Sequence, residues 1–150
     1  FVIDRLPPED AMPEFRFETP YPERLNAAVE LLDGNDPQQA AVIDEGGTWS
    51  YARIADVSDR IARLLVEEEG LVPGNRVLLR GPNGGWLFAA WLGVLKAGGV
   101  VVATMPILRG GEIATILKRA EVSHALVDHR CLEDYDKGAA EAGTVRSLVV

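Results

Sequence analysis

A chain of 150 residues, 47% hydrophobic and 25% charged, has ordinary globular proportions and enough apolar material for one core of modest size. Its formal net charge of −8 argues against nucleic acid or an anionic membrane as partner, because a phosphate field would repel most of such a surface. Cys131 is the single cysteine, which excludes an intrachain disulfide and a Cys-rich zinc site and fits a reducing, cytoplasmic setting.

In chain order, five of the nine prolines fall between Leu6 and Pro22, among Phe15, Phe17 and Tyr21, and predict an extended arm anchored by its aromatic residues. Leu25, Ala28, Val29 and Leu32 recur at helical spacing over 23–33, with Gly34 as the stop. Two β-prone runs, 40–44 and 48–50, flank Glu45-Gly46-Gly47 and predict a tight hairpin. Ser50 is placed to N-cap a helix reaching about residue 69 through Ile54, Val57, Ile61, Leu64 and Leu65, closed by Gly70. The acidic run Glu67-Glu68-Glu69 at its end reads as a solvated face.

After a turn at Pro73-Gly74-Asn75, strands and helices alternate: strand 76–80, helix 84–96, strand 100–103, helix 111–120, strand 124–128, helix 132–140 and strand 145–150. This alternation predicts an α/β fold, a helix-covered, mainly parallel sheet preceded by the small hairpin. The helix 84–96 is apolar nearly all round (Trp86, Leu87, Phe88, Trp91, Leu92, Val94, Leu95), so burial on several sides is expected. The apolar region from Trp86 to Met105 is broken by Lys96, Gly98 and Gly99, and the acidic, proline-rich start is unlike a signal peptide. Neither a membrane span nor export is expected. A start at Phe1 and a strand-like end at Ser147-Leu148-Val149-Val150 suggest part of a larger domain.

Thr48-Trp49-Ser50-Tyr51 before an amphipathic helix, Val72-Pro73-Gly74-Asn75-Arg76-Val77, and Leu95-Lys96-Ala97-Gly98-Gly99 running into Val102 and Met105-Pro106 occur in the order found in adenylate-forming enzymes. Residues 40–150 thus resemble the opening of the large domain of an acyl-CoA synthetase. Arg80-Gly81-Pro82-Asn83, Trp86, Trp91 and Thr104-Met105-Pro106-Ile107-Leu108-Arg109 look most like benzoate-CoA and 2-aminobenzoate-CoA ligases. Asp4-Arg5-Leu6-Pro7-Pro8 and Tyr21-Pro22-Glu23-Arg24-Leu25-Asn26-Ala27-Ala28 are similar to the start of those aryl-CoA ligases.

The resemblance implies a division into an arm with a short helix, 1–36, and the first part of an AMP-binding large domain, 37–150, without the rest of that domain or the C-terminal lid domain. It implies an aromatic carboxylic acid as substrate, activated by ATP with Mg²⁺ as an acyl-adenylate and passed to CoA. The family's phosphate loop, its ribose-binding aspartate and its lid lysine are missing from this sequence. The chain alone is therefore expected to be inactive, to contain no catalytic or metal-binding residue, to hold no cofactor tightly, and to self-associate through exposed apolar surface. In related acetyl-CoA-type synthetases the loop after the Lys-Ala-Gly strand contributes backbone contacts to CoA, and a basic residue after the following strand approaches the CoA nucleotide. The matching positions are Pro106, Ile107 and Leu108, and Arg130.

Plainer readings apply elsewhere. The Gly81 to Gly85 loop lacks both common phosphate-binding patterns and is a structural turn. Lys96 is placed to cap a helix C-terminus. His124 and His129 lie on different faces of a strand and make a poor metal pair. Cys131 has no evident activating partner. Asp44 and Asp128, each at a strand end, motivate a receiver-like phosphoacceptor as an alternative, and a non-catalytic binding module is another.

Overall fold

The computed structural model describes residues 8, 11 and 22–150, so nearly all of the predicted arm lies outside the described residues. Helix α1 (Ala27–Leu32) leads into strands β1 (Ala40–Asp44) and β2 (Gly47–Ser50) and helix α2 (Tyr51–Arg63). There follow β3 (Arg76–Arg80), α3 (Gly85–Lys96), β4 (Val100–Thr104), α4 (Gly110–Arg119), β5 (His124–Val127), α5 (Leu132–Ala142) and β6 (Ser147–Val149).

Helix α1 is shorter than predicted because Asn26 caps it. The Asn26 side chain accepts from Ala28 N–H at 3.1 Å and donates to the Leu95 carbonyl at 3.2 Å, so one amide both starts α1 and docks it on the end of α3. The hairpin β1–β2 is antiparallel, with Gly47 at φ +118° in its turn. Ser50 Oγ accepts from Arg53 N–H at 3.3 Å and starts α2 as expected.

The α-helical pattern stops at Arg63, and residues Leu64–Glu68 widen into a π-helical turn before Gly70 ends the segment at φ +67°. Leu65 stays fully buried through that turn. Of the acidic run predicted as a solvated face, Glu67 and Glu68 are exposed, but Glu69 is half-buried and tied to the sheet. Its carbonyl accepts from His124 Nε2–H at 3.1 Å, and its carboxylate accepts from Ser147 Oγ–H at 2.6 Å. His124 Nδ1 and the Ser123 hydroxyl are also hydrogen-bonded, at 2.8 Å. His124 is thus a buried tie between α2 and the sheet, and His129 is exposed, which fits the structural reading of both.

The four strands β3 to β6 pair in parallel in the order β4-β3-β5-β6, with Leu78 opposite Val102 and Ala125. Alternation sends successive β3 residues to opposite faces. Leu78 joins Ile113, Leu117, Ala125, Val127 and Tyr135 beneath α4 and α5. Val77 and Leu79 join Leu65, Leu71 and Val94 beneath α2 and α3. A third cluster of Ala28, Trp49, Ile54, Ala89 and Leu92 glues the hairpin and α1 to the outside of α2 and α3. Each fully buried aliphatic or aromatic side chain contributes about 1.5–3 kcal/mol.

Two expectations need correction. Ala89, Leu92, Gly93 and Val94 of α3 are buried, but Trp86 is 65% and Trp91 43% exposed, because no described element covers the side of α3 away from the sheet and α2. Lys96 does not cap α3. Its ammonium instead reaches across to Asp59 on α2 at 2.7 Å, brought close because α2 and α3 meet at Gly93, where a Cβ would stand 2.7 Å from Ile61.

The α4–α5 contact is equally tight. A Cβ on Gly138 would lie 2.8 Å from both the Gly110 carbonyl and Ile113, whereas one on Gly111 meets nothing within 4 Å. Gly138→Ala is expected to lower unfolding stability by about 2 kcal/mol through overpacking. Gly111→Ala should raise it by about 0.5 kcal/mol from helix propensity, both read from urea midpoints.

Candidate functional site

The chain leaves β3 for α3 on one face of the sheet and leaves β5 for α5 on the other. The loops therefore diverge at the carboxyl ends of β3 and β5, the position where open α/β sheets form their binding crevices. Arg80, the last residue of β3, stands at this point and is only 2% exposed.

Its guanidinium donates only to backbone carbonyls. Nη1 reaches Met105 O at 2.7 Å, Nη2 reaches Pro106 O and Leu108 O at 2.9 Å each, and Nε reaches Cys131 O at 3.3 Å. Hydrogen bonds from a charged donor contribute about 1.5–3 kcal/mol each, which offsets the several kcal/mol lost in burying the cation. The next residue, Gly81, brings the loops together directly, since a Cβ there would lie 3.2 Å from Asp128 Cβ.

The loops carrying the predicted residues Pro106, Ile107, Leu108 and Arg130 thus meet on one guanidinium. Leu108 is half-buried against the α4–α5 core, while Ile107 is 74% exposed. Arg130 projects outward but is already paired: Nε and Nη2 each donate to the Asp128 carboxylate at 2.8 Å, and Arg130 N–H donates to the same carboxylate at 2.9 Å. These bonds, above all that from the Arg130 side chain, hold the Asp128 carboxyl well below the usual carboxylate range. Two of the five guanidinium N–H groups are engaged by Asp128, which leaves the opposite, Nη1-bearing edge of this 62% exposed side chain without an acceptor among the described residues.

Across the crevice, Asp44 at the end of β1 accepts from Gly85 N–H at 2.9 Å and Gly46 N–H at 2.8 Å. The bond from Gly85 is the largest cause of a lowered Asp44 pKa. An internal carboxylate therefore sits at the α3 N-terminus, where a phosphate would have to bind, and the Gly81 to Gly85 loop is a structural turn as its sequence indicated. Trp49, 3% exposed, lies so close that a Cβ on Gly85 would approach its ring to 2.2 Å. Arg53 covers that ring at 3.7 Å, and Trp86 meets it edge-on at 5.1 Å.

A cleft of about 1160 Å³ opens between the hairpin turn, the start of α3 and the ends of β3, β5 and β6. Its floor is apolar, with Leu79, Leu87, Ala90, Leu126 and Val149, and its rim carries Asp44, Glu45, Asp128 and Arg130. Among the described residues no group of three or more His, Cys, Asp or Glu is placed to hold a metal ion, and no helix is long and apolar enough to cross a membrane. Asp44 and Asp128 are each committed to local hydrogen bonds, which leaves the receiver-like alternative without the acidic cluster it needs.

Arg80 and Asp44 carry the geometry of this site, and neither was singled out for that part from sequence. The available signal was a charged residue closing the buried run Val77-Leu78-Leu79, and an aspartate ending a strand before a hairpin turn.

Both lowered aspartates give stability that is fully present above their unfolded-state value and lost as pH falls through the folded one. The urea midpoint is expected to be level from about pH 7 to 5 and to fall below about pH 4, more shallowly in Asp128→Asn, where one of the two linked protons is gone.

The sequence family described as AMP-binding enzyme matches residues 33–150. A salicylyl-CoA synthase / salicylate adenylyltransferase of a Streptomyces species is 35% identical over 99 residues, covering 66% of this chain and 18% of its own. The benzoate–CoA ligase of Thauera aromatica is 28% identical over 133 residues, covering 86% of this chain and 25% of its own. The crystal structure of the anthranilate CoA ligase AuaEII in complex with anthranoyl-AMP superposes with a TM-score of 0.80 at 17% identity, over 87% of this chain and 25% of that one, and shows the shared fold. The chain thus spans a quarter or less of the length of these proteins. The family resemblance read from the motifs of residues 40–150 is confirmed by these matches, and the chain belongs to the AMP-binding enzyme family.

Proposed function

We propose that this chain is the opening part of the large domain of an ATP-dependent ligase that activates an aromatic carboxylic acid and passes it to CoA. In that reaction the carboxylate attacks the α-phosphate of ATP, releasing pyrophosphate and forming an acyl-adenylate; the CoA thiolate then displaces AMP. The observation that carries the reading is the match to relatives named for salicylate and benzoate. Residues 37–150 are the first part of the large domain, and the segment before them carries the short helix α1 (Ala27–Leu32).

Within this reading the chain's own residues serve the acyl acceptor. Pro106, Ile107 and Leu108 offer backbone to the thiol-bearing arm of CoA, and the outward edge of the Arg130 guanidinium suits a phosphate of its nucleotide. ATP and Mg²⁺ are needed by the complete ligase, and among the described residues no group of three or more His, Cys, Asp or Glu is placed to hold the metal. Exposed Trp86, Trp91 and Val150 support self-association of the isolated chain.

A pyrophosphate-release assay with a panel of aryl and fatty acids, ATP, Mg²⁺ and CoA tests the reading. Release by the full-length ligase with aryl acids and none by residues 1–150 is expected. Silence from a folded full-length protein on every acid would remove the reading.

The acceptor assignment has its own test. Arg130→Ala in the full-length ligase should raise the KM for CoA by about tenfold, the loss of one charged phosphate contact, while adenylate formation stays within twofold. An unchanged KM would leave Arg130 as a structural partner of Asp128.

A further inference from the structure

We propose that Arg80 is the positioning residue of the acyl-acceptor site: its buried guanidinium draws the carbonyls of the loops after β4 and β5 inward and thereby turns the Ile107 N–H outward as a hydrogen-bond donor for the acceptor. The inference rests on the reading of Pro106 to Leu108 and Arg130 given above, and adds the residue that assembles them.

The peptide geometry carries it. A trans peptide points its C=O and the following N–H in opposite directions, and no described peptide bond is cis. The Pro106 carbonyl is directed into the protein, onto Arg80 Nη2 at 2.9 Å. The Ile107 N–H on the same peptide is therefore directed away from the buried guanidinium, at a residue that is 74% exposed. With Met105 N–H, it is one of two amides of this loop left without an acceptor among the described residues. Pro106 has no N–H, Leu108 N–H donates to Met105 O at 3.2 Å, and Arg109 N–H donates to Glu112 Oε2 at 2.9 Å. Among the described residues nothing accepts from Ile107 N–H.

The same guanidinium fixes the second loop. Nε holds the Cys131 carbonyl at 3.3 Å, next in sequence to Arg130, while Asp128 orients the Arg130 side chain. Neither loop can shift without breaking a bond to Arg80, so the distance between the Ile107 donor and the Arg130 guanidinium is set by one side chain. Lysine cannot replace it. An ammonium keeps the charge but lacks the planar fork, and a single nitrogen cannot span carbonyls on both loops.

Arg80→Lys and Arg80→Met are to be made in the full-length ligase, with adenylate formation followed by pyrophosphate release and thioester formation followed against CoA concentration. The expected result for Arg80→Lys is a KM for CoA raised about tenfold or more with adenylate formation within twofold of the parent, and a larger KM effect in Arg80→Met. A KM for CoA unchanged in folded Arg80→Lys would overturn the proposal. So would equal losses in both half-reactions, or failure of both variants to fold, since Arg80 would then be a member of the core and no more. Arg130→Ala separates the two claims. If it raises the KM for CoA while Arg80→Lys does not, this inference alone fails; if neither variant moves it, the acceptor reading fails with it.

Discussion

The placement of one cation organises the carboxyl end of the sheet. Arg80 ends the strand that lies between β4 and β5, the only place from which one side chain can reach the loops of both neighbours. Because the guanidinium is buried and hydrogen-bonds only to carbonyls, those carbonyls have to converge on it. The cost of leaving any guanidinium N–H unpaired in that setting is several times the value of an exposed ion pair. Loop geometry here follows from strand order.

A second constraint works against the first in direction. At Arg80 the protein turns carbonyls inward around a cation, whereas at the start of α3 it turns an N–H toward the Asp44 carboxylate supplied by the hairpin. The hairpin is held there by Trp49, packed against the Gly85 backbone and clasped by Arg53 and Trp86. With Gly85 N–H engaged by Asp44, Ile107 N–H and the Arg130 guanidinium are among the donors at this end of the sheet that keep hydrogen-bonding capacity free. Under the proposed reading, these donors serve an acyl acceptor's polar and phosphate oxygens, and the Asp44 carboxylate occupies the α3 terminus where a triphosphate would otherwise sit.

Much of the fold was legible because its signals are local. The strand Arg76–Arg80 and the hairpin strand Ala40–Asp44 were delimited by apolar runs and glycine turns, and Ser50 announced α2. What escaped depends on partners far along the chain. Lys96 was assigned to its own helix end, yet Asp59, remote in sequence, claims it because Gly93 lets α2 come close. The π-helical turn at Leu64–Glu68 is set by where Leu65 must point, and Glu69 by the arrival of His124 and Ser147. For the site, the loop positions and Arg130 came from family resemblance, but Arg80 could not, since its meaning lies in four carbonyls contributed by two later loops.

Under the proposed reading, the Arg130–Asp128 pair prepares such a surface for an anion while the protein as a whole is acidic. A bare arginine on the rim, with Glu45 near it, would sample many rotamers and lose that freedom on binding. Asp128 removes the freedom beforehand by a bidentate grip on the Nε and Nη2 edge, and its own position is fixed by the Arg130 backbone N–H and by the close approach of Gly81. The grip also lessens the local positive field, so attraction for a phosphate is reduced as its geometry is improved. Which effect dominates is decided by screening. The pair lies at a solvent-facing rim, with Arg130 62% and Asp128 24% exposed, where the long-range field of a single charge is weakened by water and salt. Direct, well-aligned N–H contacts then matter more than net charge, and a pre-oriented guanidinium edge is the better phosphate ligand.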